Sequence, residues 1–209
     1  MRNGIALTFA VLLAACGGAR PLVRDASSRE IAAPSEGRAR VVLALPGAYR
    51  DVISVVDERG QYVGQLAQRT FTTLEVEPGT RRFYALVGAS AYVVGGTVEA
   101  GRTYWVVAET AGFGRPLRWM AWAPTCSEDP TARLSGVRAV EPDPDADRAA
   151  LDRALGNVPQ RILEADRELE RMPEAQRAER VLQPACVPGA ETAPPAAPEP
   201  TETEPATAQ

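Results

Sequence analysis

The chain has 209 residues, a net charge of -4 and a pI near 5.1, and its 23 basic residues are all arginine, with neither lysine nor histidine. The lack of histidine removes the imidazole general base, the Ser-His-Asp and Cys-His nucleophile pairs and the histidine metal ligand. The lack of lysine removes Schiff bases and the usual phosphate-binding loop. The acidic balance, with arginines scattered among acids, excludes the basic footprint that nucleic acid demands, so no nucleic-acid partner, no metal and no cofactor is expected.

Arg2 supplies a positive N-terminus, and Ile5 to Leu13 form an apolar stretch broken only by Thr8, of signal-peptide rather than membrane-spanning length. The stretch ends in Leu13-Ala14-Ala15-Cys16, which resembles the lipobox of bacterial lipoproteins: small residues before the cut, then a cysteine that accepts lipid. The resemblance implies removal of residues 1–15 and a diacylglycerol thioether plus an acylated amine on Cys16. More than one acyl chain is what stable anchoring needs, so the mature chain is expected to be anchored to a membrane and not to span it. Gly17 in place of an acidic residue implies, by similarity to Gram-negative sorting rules, the outer membrane over the inner. An ordinary secretory signal cleaved after Ala15, with an incidental cysteine, is the alternative; the position of the only early cysteine argues against it. Residues 16–37, small, polar and charged, are expected to be a lipidated flexible tether.

From 38 to 125 the chain reads as all β. Arg40 to Leu45, Val52 to Asp57, Tyr62 to Leu66, Thr70 to Val76, Phe83 to Val87, Tyr92 to Val98, Tyr104 to Ala108 and Leu117 to Ala123 are strand-sized and rich in β-branched and aromatic residues. Pro46-Gly47, Glu58-Arg59-Gly60, Pro78-Gly79 and Ala100-Gly101 punctuate them. About eight strands at a spacing of roughly ten residues predict a mainly β fold, a small antiparallel β-sandwich.

The order of Asp57-Glu58-Arg59-Gly60-Gln61-Tyr62-Val63-Gly64, then Val76-Glu77-Pro78-Gly79, then Glu99-Ala100-Gly101-Arg102-Thr103-Tyr104 resembles PEGA-type and DUF2846-type β-sandwiches over about residues 38–110. These are turn motifs. Glycine serves where φ is positive and proline presets the first corner, so they specify a fold and no chemistry. At Glu58-Arg59 the chain departs from the tighter Asp-Gly turn of those families, and a longer hairpin is expected there. The resemblance implies an envelope-associated module without catalytic residues that binds a glycan or another envelope protein.

Beyond the sandwich, 126–142 reads as a linker and 143–186 as a helical appendage. Asp143 to Asp147 carries no glycine and no distal glutamate, so it reads as a helix start and not as a calcium loop. Ala146 to Leu155 forms one helix. Pro159 to Met172 forms a second with a thin stripe of Ile162, Leu163, Ala165 or Asp166, Leu169 and Met172, and Pro173 either kinks it or starts a third segment reaching Leu182. So narrow a stripe predicts a helix lying on its own domain. Residues 187–209, built of Pro, Ala, Glu and Thr, cannot bury enough surface to fold.

With Cys16 used for lipid, Cys126 and Cys186 are left as an even pair in an oxidising compartment, and a disulfide between them is expected. Free thiols and intermolecular bridges are the alternatives. Trp105, Trp119 and Trp122 are the candidate ligand contacts: an aromatic platform for a sugar or peptide, or else core and edge packing. A glycosidase needs two opposed carboxylates, but Asp57, Glu75, Glu77, Glu99 and Glu109 fall near strand ends or on outer faces, and no catalytic residue is assigned. The expected function is therefore a non-enzymatic, membrane-anchored envelope lipoprotein acting as a structural or interaction module, its partners the membrane and another envelope protein or a glycan. A carbohydrate- or peptide-binding module using exposed tryptophans is the alternative.

Overall fold

The computed structural model describes residues 22–110 and 117–186, and ten strands lie among them. They are β1 (Val23–Asp25), β2 (Ala39–Leu45), β3 (Ile53–Asp57), β4 (Tyr62–Leu66), β5 (Thr70–Val76), β6 (Gly79–Val87), β7 (Ser90–Val98), β8 (Thr103–Thr110), β9 (Leu117–Trp122) and β10 (Arg138–Pro142). They build a six-stranded sheet in the order β1-β10-β5-β2-β8-β9 and a four-stranded sheet in the order β4-β3-β6-β7. The protein is mainly β, a two-sheet sandwich with C-terminal helices.

Period-two alternation splits each strand between two cores. Val41, Leu43 and Leu45 of β2, Ile53 and Val55 of β3, Phe83 and Ala85 of β6, Val94 of β7 and Tyr104 and Val106 of β8 fill the space between the sheets. The opposite faces are apolar too. Val42, Ala44, Phe71 and Trp105 face outward from the larger sheet, and Val56, Tyr84, Leu86 and Val93 face outward from the smaller one. A strand that is apolar on both faces needs cover on both, and each sheet has it.

The smaller sheet is covered by helices. Asp147 accepts a hydrogen bond from the Ala149 amide (3.0 Å) and caps α1 (Arg148–Leu155), so the acidic run does start a helix. Asn157 and Pro159 open α2 (Val158–Arg171), whose Val158, Ile162, Ala165 and Leu169 pack on Tyr84, Leu86 and Val93. Leu163, counted in the sequence stripe, points away and is 44% exposed. Asp166 ties the helix down, accepting from the Tyr84 hydroxyl (3.0 Å) and pairing with Arg82 (3.1 Å). A short α3 (Glu174–Ala178) follows.

The larger sheet is covered by segments expected to lie outside the domain. Residues 22–37 and 126–142, read from sequence as tether and linker, contribute β1 and β10, which pair with each other, and β10 then pairs with β5. Ala26 and Ile31 from the first segment, with Leu134, Val137 and Ala139 from the second, cover Val42, Ala44 and Trp105. Two guanidinium hydrogen bonds from Arg29, to the carbonyls of Val137 (2.8 Å) and Leu134 (3.3 Å), clamp the two segments together. Their apolar residues follow no period of 2 or 3.6, so neither stretch carries a strand or helix signal.

Two of the pairings, β2 with β8 and β10 with β5, are parallel rather than antiparallel. The chain crosses between the sheets after β2, β4, β5 and β7, so these neighbours are never joined by a hairpin. Between β3 and β4, Asp57 accepts from the amides of Arg59 (2.9 Å) and Gln61 (2.8 Å), with Gly60 at φ 74°. This turn spans 58–61, the longer hairpin that the departure at Glu58-Arg59 implies.

Candidate functional site

The three tryptophans do not form a platform. Trp119 lies in the inter-sheet core, 0% exposed, its indole N–H donating to the Phe83 carbonyl at 3.1 Å. Trp105 and Trp122 are cross-strand partners on the opposite face, their rings edge to face with centroids 5.6 Å apart. Trp105 is 2% exposed beneath the covering segments. Trp122 alone is half-buried, and the Arg133 guanidinium sits 4.4 Å from its ring centroid. The alternating directions of Trp119 and Trp122 follow from the strand period; the covering of Trp105 does not. The binding-module alternative thereby loses the exposed aromatics on which it rested.

Glu75, Glu77, Glu99 and Glu109 are held in ion pairs with arginines, and Asp57 instead accepts from the backbone amides of its turn. At the end of the sandwich where β2 and β6 begin and β5 ends, a cleft of about 350 Å³ is lined by Arg38, Glu58, Arg59, Glu75, Glu77 and Arg81 among others. Arg81 bridges Glu58 (2.8 Å) and Glu77 (3.6 Å), Arg38 reaches Glu77 (3.4 Å), and Arg40 pairs with Glu75 (2.6 Å). Burial pushes the Glu58 carboxyl upward, but hydrogen bonds from the Arg81 guanidinium and from the Glu58 and Arg82 backbone amides more than offset it and leave it below the ordinary range. Hydrogen bonds from the Ser35 amide, the Arg40 guanidinium and the Ser35 hydroxyl bring Glu75 down to about 2. Groups held ionised in this way accept hydrogen bonds and have no proton to give at neutral pH, whereas glycoside hydrolysis needs one carboxyl kept protonated. Among the described residues no group of three or more Cys, Asp or Glu side chains is arranged to hold a metal ion.

Glu75 has a structural task. Through Ser35 and through Arg40, which also donates to the Ala32 carbonyl, it holds the 22–37 segment on the sheet. Its folded-state pKa lies below that of an unfolded glutamate, near 4.3, so its contribution to stability is full above that value and is lost as pH falls toward about 2. Carbon-detected NMR titration is expected to place the Glu75 midpoint near 2. The Ser35 amide is expected to lose its protection across the same interval, and Glu75→Gln to abolish that pH dependence.

Cys126 and Cys186 come together with Cα atoms 4.9 Å apart, a spacing compatible with a disulfide. Cys126 follows β9, and Cys186 ends a strap, residues 179–186, that runs along one side of the sandwich. The strap seals both sheets there. The Gly95 amide donates to the Arg180 carbonyl and the Leu182 amide to the Gly95 carbonyl, each at 2.9 Å, on the outer strand of the smaller sheet. The Ala121 amide donates to the Glu179 carbonyl (2.8 Å) and the Arg180 guanidinium to the Trp119 carbonyl on the outer strand of the larger one. Leu182, 4% exposed, plugs the inter-sheet core, and the Ala185 amide continues the pairing along β8 at Thr103 (2.8 Å). Sequence reasoning missed the strap. The signal available was Gly95-Gly96 inside a strand, a place where glycine marks close backbone approach: a Cβ on Gly96 would lie 3.1 Å from the Leu182 amide nitrogen.

Cys16, the expected signal peptide 1–15, the start of the tether and the tail 187–209 lie outside the described residues. Among the described residues no helix is long and apolar enough to cross a membrane. No family model matches the sequence, and no curated protein matches it either.

Proposed function

We propose that the chain is a lipid-anchored, non-enzymatic lipoprotein of the bacterial envelope, held at Cys16 and sorted to the outer membrane, whose sandwich is a structural or interaction module. The observation that carries this reading is Leu13-Ala14-Ala15-Cys16 after an apolar stretch, followed within six residues by chain that is already part of a folded domain. The arginine-neutralised carboxylates and the buried indoles support a domain without catalysis. The turn sequences at Gly60, Pro78-Gly79 and Gly101 support its likeness to PEGA-type modules.

Growth with an alkyne-bearing fatty acid tests the anchor. The wild-type protein is expected to take up the label and to band with the outer membrane on a density gradient. Cys16→Ser is expected to stay unlabelled and to leave the membrane fraction. Uptake of label by Cys16→Ser, or an unlabelled wild-type protein, would overturn the assignment.

A further inference from the structure

We infer that the domain rests on the bilayer bearing its own anchor through one defined face, the apolar groove between β1, β10 and α1; this rests on the lipidation of Cys16 proposed above. The groove, about 570 Å³, lies on the side of the sandwich away from the strap and is lined by Leu22, Val23, Val52, Val140, Ala150 and Ala154. Val52 is 46% exposed, one of three large hydrophobic side chains left so open among the described residues.

The chain length outside the described residues selects the occupant. Six peptide units separate Cys16 from Leu22 and span at most about 21 Å. Leu22 is fixed in the domain: it is 4% exposed, and its carbonyl accepts from the Asp143 amide (3.0 Å) and the Tyr62 hydroxyl (3.4 Å). A domain of about 160 residues is roughly 40 Å across. If the groove pointed to bulk water, the chain from Leu22 would have to travel about that distance to reach the lipid, and it cannot. The face containing Leu22 therefore cannot point away from the bilayer, and its apolar lining turns it toward the lipid.

That face suits a headgroup layer. Arg24 and Arg138 border the groove and are paired with Glu141 (2.7 Å) and Asp25 (3.3 Å). Both pairs are exposed, and an exposed pair contributes little, so either guanidinium can exchange its carboxylate for a lipid phosphate at small cost while its stem lies along the apolar wall. Val52 then sits at the boundary between headgroups and acyl chains. The contact is shallow, a resting face and not an insertion.

The test uses the mature, full-length lipoprotein in vesicles of phosphatidylethanolamine and phosphatidylglycerol. An environment-sensitive fluorophore is placed on Val52→Cys or, as the control, on Gln176→Cys in α3. Flotation with the vesicles is read first, and failure to float sinks the anchor reading itself. In floated protein, lipids carrying a quencher just below the headgroups are expected to quench the label at 52 severalfold more than the label at 176, and Arg24→Gln with Arg138→Gln to narrow the difference. Equal quenching at the two positions in floated protein would leave the anchor intact and overturn the resting face.

Discussion

Replacing Cys126 and Cys186 by serine is expected to lower the stability of the domain by about 4 kcal/mol and its Tm by on the order of 10 °C. The two residues are 60 apart in sequence, and closing a loop of that length removes much of the freedom of the unfolded chain. The folded contacts explain why the loss would also be local. Apart from Leu182, the strap buries few side chains, and its hold on Gly95, Ala121 and Thr103 comes from backbone hydrogen bonds at sheet edges. Native-state hydrogen exchange of the serine variant is expected to expose the Gly95, Leu182 and Ala185 amides by sub-global opening, before the β2 and β8 amides exchange. Peptide mapping without reductant checks the premise: a linked pair of peptides containing 126 and 186 is expected, and two free thiols would remove the basis of the prediction.

Trp119→Ala is expected to cost about as much, roughly 4 kcal/mol, because it opens a large cavity between the sheets. Trp119→Phe keeps most of the packing but loses the indole N–H to the Phe83 carbonyl, and about 1–2 kcal/mol is expected. Trp122→Ala removes a half-buried ring, with its edge contact to Trp105 and its place under Arg133, and about 1 kcal/mol is expected. Urea unfolding followed by circular dichroism checks the order Trp119→Ala, Trp119→Phe, Trp122→Ala. A platform residue would behave differently: its loss would weaken ligand binding and leave the urea midpoint in place.

How much could be read in advance depended on whether the information was local. Tyr62–Leu66 and Thr70–Val76 have the same limits in the sequence reading and in the structure, because alternation and flanking turn residues define both. β1 has only three residues and is a strand because β10 is beside it, and β10, Arg-Ala-Val-Glu-Pro, ends in proline and is a strand because it lies between β1 and β5. No pattern within either segment announces a partner more than a hundred residues away. The parallel β2–β8 pair was hidden for the same reason, since only the crossing of the chain between sheets makes those strands neighbours. At the candidate sites, counting cysteines pointed to 126 and 186, which the fold places at a disulfide-compatible spacing, and the strand period was enough to send Trp119 and Trp122 to opposite faces. The burial of Trp105 depends on Ala26, Ile31 and Leu134, which carry no periodic signal, and so it could be seen only in the folded chain.

The pairing of β1 with β10 also sets an order of events. Val23 faces Pro142, and β1 has no other strand beside it, so β1 has no strand to pair with until residue 142 has been made, although Ala32 and Ser35 can already be held through Arg40 and Glu75. A sheet closed by contacts this remote in sequence folds slowly compared with one built from hairpins. Once β10 is in place it pairs with β1 on one side and with β5 on the other. The edge of the larger sheet beyond β5 is thus the last part of the β structure to be completed as the chain emerges.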